Sequence, residues 1–360
     1  MTPPALIDDR LRSHRLSAPA PTVRDAAAHM LAVQSQDLLA GRWALAARTR
    51  GAPGLSAVDA ALARGDLVRA WTMRGTLHII PARDLRWVLS VTADRQLRQA
   101  ASRYRELGID GDVVGVAERA LRARLRDGGV TRAQAFTAFE DARIDPRGQR
   151  GVHLLSALTI GGVLCQGPLA DAAPGAVRRE QRFVLTEDHI AESVMPDDPL
   201  AEFFVRYIDG HGPASIADFA WWSGLTLGTA REAAERARAR LTEVADGVFV
   251  AATRPRRSDA DTRVRVLAAF DEYYISYADR TGVCAPEHLA AVGPGKNGMV
   301  RPTVLVDGQV AGVWSPSGGG TDLFGLGTGG QGEAKDEAMQ DAVQRAADQA
   351  VQRYRAFLAT

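Results

Sequence analysis

The sequence holds only two cysteines in 360 residues, Cys165 and Cys284. Two thiols make neither a disulfide framework nor a zinc or iron–sulfur ligand set, which excludes a stapled scaffold and a cysteine-bound metal. Long apolar runs are missing too. None approaches the ~18–20 residues of a membrane span, and the first residues, MTPPALIDDRLRSHRL, are charged where a signal peptide would be apolar. A cytoplasmic location without a membrane partner is therefore expected. The seven histidines are scattered, with no HExxH and no HxE beside a CxxC. No metal and no cofactor are expected. Lysine is scarce, since Lys296 and Lys335 are the only two among 44 basic residues. The net charge of +1 also lacks the basic excess that marks most nucleic-acid binders.

That near-zero sum conceals a split. Residues 1–150 hold 24 arginines against 16 acids, a net of +8, and residues 151–360 hold 20 basic residues against 27 acids, a net of −7. A basic half suggests an anionic partner, although arginine- and alanine-rich usage also follows from genome composition. With 46% hydrophobic residues the chain can bury proper cores, and its length suggests about two to three domains of roughly 100–200 residues.

One phrase, helices followed by a two-stranded hairpin, recurs three times. Residues 4–14, 23–33, 37–48 and 56–64 carry apolar residues at helical spacing, broken at Pro21, Gly51, Pro53 and Gly65. Extended runs follow at Val68–Met73 and Thr76–Ile80, with Arg74-Gly75 as the turn. This order describes a winged helix, and a long arginine-rich helix over 82–105 completes a unit spanning 1–108. A second unit fits 109–190, with helices over 113–126, 131–142 (Thr131 as N-cap) and 151–161 and strands over 163–167 and 182–186. A third fits 191–258, with helices over 199–210, 214–222 and 226–240 before the strand-like LTEVADGVFVAA. The expected fold class is α+β: three tandem winged-helix units, then a C-terminal β-barrel-like domain or small sheet over 259–360. There, 264–270, 303–306 and 310–314 are expected strands and Asp307-Gly308 a type I′ turn. The glycine-rich stretch 315–332 is expected to be a mobile loop, and 333–358 a charged helix.

No conventional catalytic constellation appears. Gly325-Leu-Gly-Thr-Gly-Gly-Gln-Gly332 lacks the GK[ST] ending and the βαβ setting of a nucleotide loop. The triplet Gln34-Ser35-Gln36 is more informative. It ends the expected helix DAAAHMLAVQSQ and opens a Leu/Ala/Trp segment. Two amides at i and i+2 project together only where helical spacing breaks down, and their carbonyl oxygens can then hold one water. Capping or backbone-bonding glutamines fit the same spacing, and Asp37 beside them fits either a helix cap or an electrostatic role.

The triplet stands among other distinctive segments. AVQSQDLLAGRWALAARTRG (32–51), VRAWTMRGTLHIIPARDLRWVL (68–89), VLAAFDEYYISYADR (266–280) and NGMVRPTVLVDGQVAGVW (297–314) occur in this order. Together they resemble the winged-helix DNA glycosylases of the AlkZ/YcaQ family, or helix-turn-helix 42 family, over about residues 1–315. RxWxMRGTxH and FDEYxxxYxDR are the most specific. The resemblance implies tandem winged helices forming a C-shaped DNA-binding surface with a C-terminal β-barrel. It also implies base-excision repair of alkylation damage by a hydrolase that removes N7-alkylated guanines from double-stranded DNA. Some members process bulky adducts or interstrand cross-links made by genotoxic natural products, and some serve self-resistance. The catalytic signature is Gln-hydrophobe-Gln in one branch and Gln-hydrophobe-Asp in the other. Gln34 and Gln36 match the first branch, whereas Ser35 departs from the hydrophobic position.

The chemistry fits neutral residues. N7 alkylation makes guanine a cationic leaving group, so what remains is to place a water and tolerate an oxocarbenium-like sugar, which two carbonyl oxygens near the developing charge can do. No lysine lies near the motif, which argues against a Schiff-base lyase and for a monofunctional glycosylase, and a monomer is expected. Arg69, Arg74 and His78 around the first wing are expected DNA contacts, with a turn arginine and a core histidine as alternatives for the last two. Arg256 and Arg257 in the basic loop, Arg280, and Lys296, Asn297 and Arg301 at a loop tip complete the expected contacts. Asp271, Glu272, Asp279 and Arg280 also fit an ion-pair lattice joining the C-terminal domain to the helices. The competing reading is a non-catalytic winged-helix transcriptional regulator, for which the helix over 333–358 would supply dimerisation.

Overall fold

A computed structural model describes residues 4–125, 128–173, 175–253, 263–324 and 333–359. The basic loop with Arg256 and Arg257, and residues 325–332 of the glycine-rich stretch, lie outside them. Among the described residues no helix is long and apolar enough to cross a membrane.

The fold is mixed α and β, as the patterning suggests. Strands β1 (Val33–Gln34), β2 (Leu67–Met73), β3 (Thr76–Pro81), β4 (Leu164–Leu169) and β5 (Gln181–Leu185) form one antiparallel sheet in the order β1-β3-β2-β4-β5. The hairpins expected of the first two units are thus not separate. They meet where Arg69 of β2 pairs with Gln166 of β4, and the Arg69 guanidinium donates to Gln166 Oε1 across that seam at 2.6 Å. Strands β6 (Ala214–Ser215), β7 (Leu241–Ala245) and β8 (Val248–Ala251) make a small sheet in the order β6-β8-β7. Strands β9 (Val264–Leu267), β10 (Thr303–Val306), β11 (Gln309–Trp314) and β12 (Thr321–Leu323) run antiparallel in the order β12-β11-β10-β9. Among the described residues this last sheet is open and no barrel closes. Asp307 and Gly308 both adopt positive φ at its hairpin, the conformation a type I′ turn requires.

The helices are cut by local chemistry. Thr131 and Ser215 each close a capping box, with Gln134 and Asp218 respectively. Asp198 caps helix Pro199–His211, whose first residue is proline. The run FDEYYIS, strand-like in sequence, is instead a single helical turn over Glu272–Ile275 capped by Asp271. Four consecutive buried residues there satisfy a buried turn as well as a strand, which periodicity cannot distinguish.

Packing ties distant segments together. Val68, Met73 and Trp87 of the N-terminal part share a core with Phe203, Phe204, Tyr207, Phe219 and Trp222. The first helix, Pro4–Ser13, packs Ile7 and Leu11 against Tyr273, Leu305 and Val310 of the C-terminal part. The last helix, Glu333–Ala359, lays Tyr354 and Phe357 against Trp43, at ring separations of 5.3 and 5.2 Å. Its apolar face is therefore used within the chain. Trp43 and Trp314 donate their indole N–H groups to the β9 carbonyls of Val266 and Leu267, which accounts for both as core residues.

Candidate active site

The glutamine triplet is not the end of a helix. Helix Val23–Met30 stops where Leu31 takes a φ of 62°, and the chain continues as the short strand β1. Val33 and Gln34 pair with Ile79 and His78 of β3, and Ser35 N–H donates to Leu77 O at 2.7 Å. The strand ends at Gln34, and Gln36 lies in the bend that follows, where its side chain is exposed. Ser35 is fully buried against helix Leu38–Ala46, where a Cβ at Gly41 would sit 2.6 Å from Ser35 Cβ. The glycine makes room for the serine, a local solution to the missing hydrophobe. Asp37 takes the cap of that helix, accepting from Leu39 and Ala40 N–H at 2.8 and 3.2 Å.

Among the described residues, each glutamine side-chain carbonyl has one protein donor. Gln34 is buried, and its Oε1 accepts from Arg74 Nη2 at 3.0 Å. Gln36 is exposed, and its Oε1 accepts from Leu77 N–H at 3.3 Å. A carbonyl oxygen has two lone pairs, so each keeps one for a water or a sugar. Arg69 holds the backbone between them, donating from Nε to Ser35 O at 2.7 Å and from Nη2 to Gln36 O at 3.1 Å. Burial lowers its pKa to about 10 despite Asp37 nearby, leaving it charged at neutral pH. Gln36 and Arg69 border a cleft of about 370 Å³ with Trp71, Leu77, Gln166 and Phe183.

Arg74 sits in the β2–β3 turn with a φ of 54°. Its guanidinium points inward, donating to Trp222 O and Gln34 Oε1 and lying 3.3 Å from His78 Nε2. An arginine only donates, so Nε2 accepts and the His78 proton sits on Nδ1, beside Thr76 O at 3.1 Å. Burial and the Arg74 charge push His78 down to about 3, so the ring is neutral. Beneath Gln34 lies a residue that sequence reasoning had placed in an ion-pair lattice. Glu272 is fully buried, and its Oε1 accepts the Gln34 backbone N–H at 2.6 Å. Burial alone would raise its carboxyl, but His211, Arg74 and His78 outweigh this and hold it well below the usual range. Of the proposed lattice, Asp271 is bridged to Arg48 by two hydrogen bonds of 2.7 and 2.9 Å. Asp279 instead binds the hydroxyl and N–H of Thr281.

Thus Arg69, Arg74 and His78 gather at the triplet. Arg280 lies further out, its Cζ 5.1 Å from the Trp221 ring centroid and 5.4 Å from that of Tyr274. Lys296, Asn297 and Arg301 are exposed around a separate turn, where Asn297 Oδ1 accepts from Met299 N–H and Arg301 donates to Ala291 O. Trp221 is 47% exposed while its neighbour Trp222 is buried. Adjacent helical positions point about 100° apart, so two neighbouring tryptophans cannot both face one core.

The AlkZ-like family, described as DNA glycosylase AlkZ-like, matches residues 27–357. The chain belongs to that family. It is a DNA glycosylase, and DNA repair is its field of action. A curated relative from Streptomyces sahachiroi, an interstrand DNA cross-link repair glycosylase, is 28% identical over 319 residues, 82% of each chain. The solved structure of the Streptomyces sahachiroi DNA glycosylase AlkZ matches the fold with a TM-score of 0.74 at 24% identity, covering 98% of both chains.

Proposed function

We propose that this glycosylase hydrolyses the N-glycosidic bond of N7-alkylated, cationic guanine in double-stranded DNA, acting as a monofunctional monomer. Three winged-helix units over 1–108, 109–190 and 191–258 form its C-shaped DNA surface, with 259–360 as a C-terminal domain. The reading rests on one observation: at the end of β1 and in the bend after it, Gln34 Oε1 and Gln36 Oε1 each accept one hydrogen bond among the described residues, which leaves each a lone pair. These oxygens orient the attacking water and lie toward the positive charge that grows on the sugar. The base leaves neutral because alkylation charged it beforehand, so no general acid is required. Undamaged guanine, a poor leaving group, stays in place. The relative's name supports extending the substrates to interstrand cross-links, and the same leaving-group chemistry extends them to bulky N7 adducts of natural products. A dimeric regulator is not favoured, because the apolar face of the last helix packs on Trp43 and Trp314.

The test is base release from duplexes carrying 7-methylguanine, a bulky N7 adduct or a cross-link, beside undamaged DNA. Release of the alkylated bases alone, leaving an abasic site without strand cleavage, is the expected result. Release from none of them would reject the reading.

Arg69, Arg74, His78, Arg256, Arg257, Arg280, Lys296, Asn297 and Arg301 were the expected DNA contacts. Arg280, Lys296, Asn297 and Arg301 fit that role best, being half-buried or exposed with no carboxylate partner among the described residues. Trp221 joins them. Its indole N–H is held by Ile275 O at 2.9 Å with Arg280 near the ring, so a broad aromatic surface is presented in a fixed orientation. Base stacking on such a ring contributes about 1–3 kcal/mol. Trp221→Ala is expected to weaken DNA binding by about that amount in fluorescence anisotropy, with Trp221→Phe losing less.

A further inference from the structure

Glu272 is the carboxylate on which Gln34 rests. Its Oε1 takes the Gln34 N–H at 2.6 Å, and its Oε2 takes the Trp222 indole N–H at 3.0 Å and the Ser276 hydroxyl at 2.5 Å. His211 Nε2 lies 3.7 Å from Oε2. Trp222 and Ser276 therefore fix the carboxylate, and the carboxylate fixes the backbone of β1 at the residue whose side chain faces the reaction. The other end of Gln34 is fixed through the same tryptophan, because Arg74 donates both to Trp222 O and to Gln34 Oε1. Residue 222 thus anchors both ends of the glutamine, through its indole and its carbonyl.

We propose that Glu272 is a positioning residue for Gln34, with a second, electrostatic duty: it balances the Arg74 guanidinium that orients the Gln34 amide. Arg74 alone would put an unbalanced cation one hydrogen bond from the carbonyl meant to face a developing oxocarbenium, which opposes the reaction. The buried Glu272 carboxylate, bonded to the Gln34 N–H, offsets that field while the arginine keeps its orienting bond. The proposal rests on the glycosidic hydrolysis proposed above.

Glu272→Gln isolates the contact. An amide has a single oxygen, which will serve the Trp222 and Ser276 donors; its NH₂ then faces the Gln34 N–H, donor against donor. With a 7-methylguanine duplex, kcat is expected to fall on the order of 100-fold, with KM and DNA affinity unchanged. If Glu272 acts through Gln34, the same substitution in a Gln34→Ala background lowers kcat no further. An unchanged kcat, or a loss that multiplies with that of Gln34→Ala, would overturn the proposal. Amide hydrogen exchange at residue 34 supplies a readout free of activity: exchange should rise in Glu272→Gln, and an unaltered rate overturns the contact even in a chain that releases no base. Should Glu272→Gln fail to fold, Ser276→Ala removes one donor from the carboxylate. It should give a smaller kcat loss in the native chain and none in Gln34→Ala, and an unchanged kcat in the native chain would count against the proposal.

Discussion

Replacing Gln34 and Gln36 together by alanine is expected to reduce 7-methylguanine release by a factor on the order of 10²–10⁴, the usual worth of a positioned proton-transfer or water-orienting group, while duplex affinity is retained. The single variants are the more telling measurement. If both carbonyls hold the same water, removing either releases it, so Gln34→Ala and Gln36→Ala should each come close to the double variant, as for other residues that act as a unit. Gln34→Ala should be the worse of the two. It also strips Arg74 of one of its acceptors and leaves a half-buried guanidinium with less to bind, and desolvation already disfavours that charge. Gln36 is exposed, and among the described residues its side chain bonds to Leu77 N–H, which water can satisfy in its absence. Single-turnover base release with excess enzyme separates this chemistry from binding. Full release by the double variant would remove the glutamines from the mechanism.

Residue types carried the site further than periodicity did. Gln34 and Gln36 stood out because two amides at i and i+2 are useless on a regular helix, and the chain leaves the helix at Leu31 for the short strand β1 and the bend after it. The strand's existence was not legible, because two residues of strand are set by a partner: β3, with which Val33 and Gln34 pair, lies more than 40 positions along the chain. The hairpin at Arg74-Gly75 was legible from its turn chemistry, and both residues do take positive φ. The inward turn of the Arg74 side chain was not, since its acceptors, Gln34 Oε1 and Trp222 O, come from far away in sequence. Glu272 was hidden for the same reason. A carboxylate inside FDEYY has the look of one member of an ion-pair lattice until Gln34, Trp222 and Ser276 converge on it. Helices and caps are local, and were found within a few residues. The sharing of one sheet by two expected hairpins depends on a single long-range register, Arg69 with Gln166, and no local pattern encodes it.

The largest loss of stability is expected at Arg48 and Asp271. Arg48 follows helix Leu38–Ala46, which begins just beyond the glutamines, and Asp271 caps the turn that carries Glu272. Their side chains are 0% and 1% exposed and share two hydrogen bonds, while Arg48 also donates to Ala44 O and Asp271 accepts from Tyr273 N–H. Withdrawing both ions from water costs much of what their attraction returns, so the pair need not add net stability. Removing one partner is different, because the other stays buried without its counter-charge. Arg48→Ala or Asp271→Ala should therefore each cost about 3–5 kcal/mol, a large share of the roughly 5–15 kcal/mol that holds a native fold. Urea unfolding followed by circular dichroism reads this directly. Arg48→Met with Asp271→Ala should recover part of the loss, since no lone ion remains. Asp271→Ala should also cost activity beyond its cost in stability, because without its cap the turn no longer holds Glu272 against Gln34. A base-release rate that stays at the native level in an Asp271→Ala chain still folded at low temperature would show that the motif keeps its geometry without this anchor.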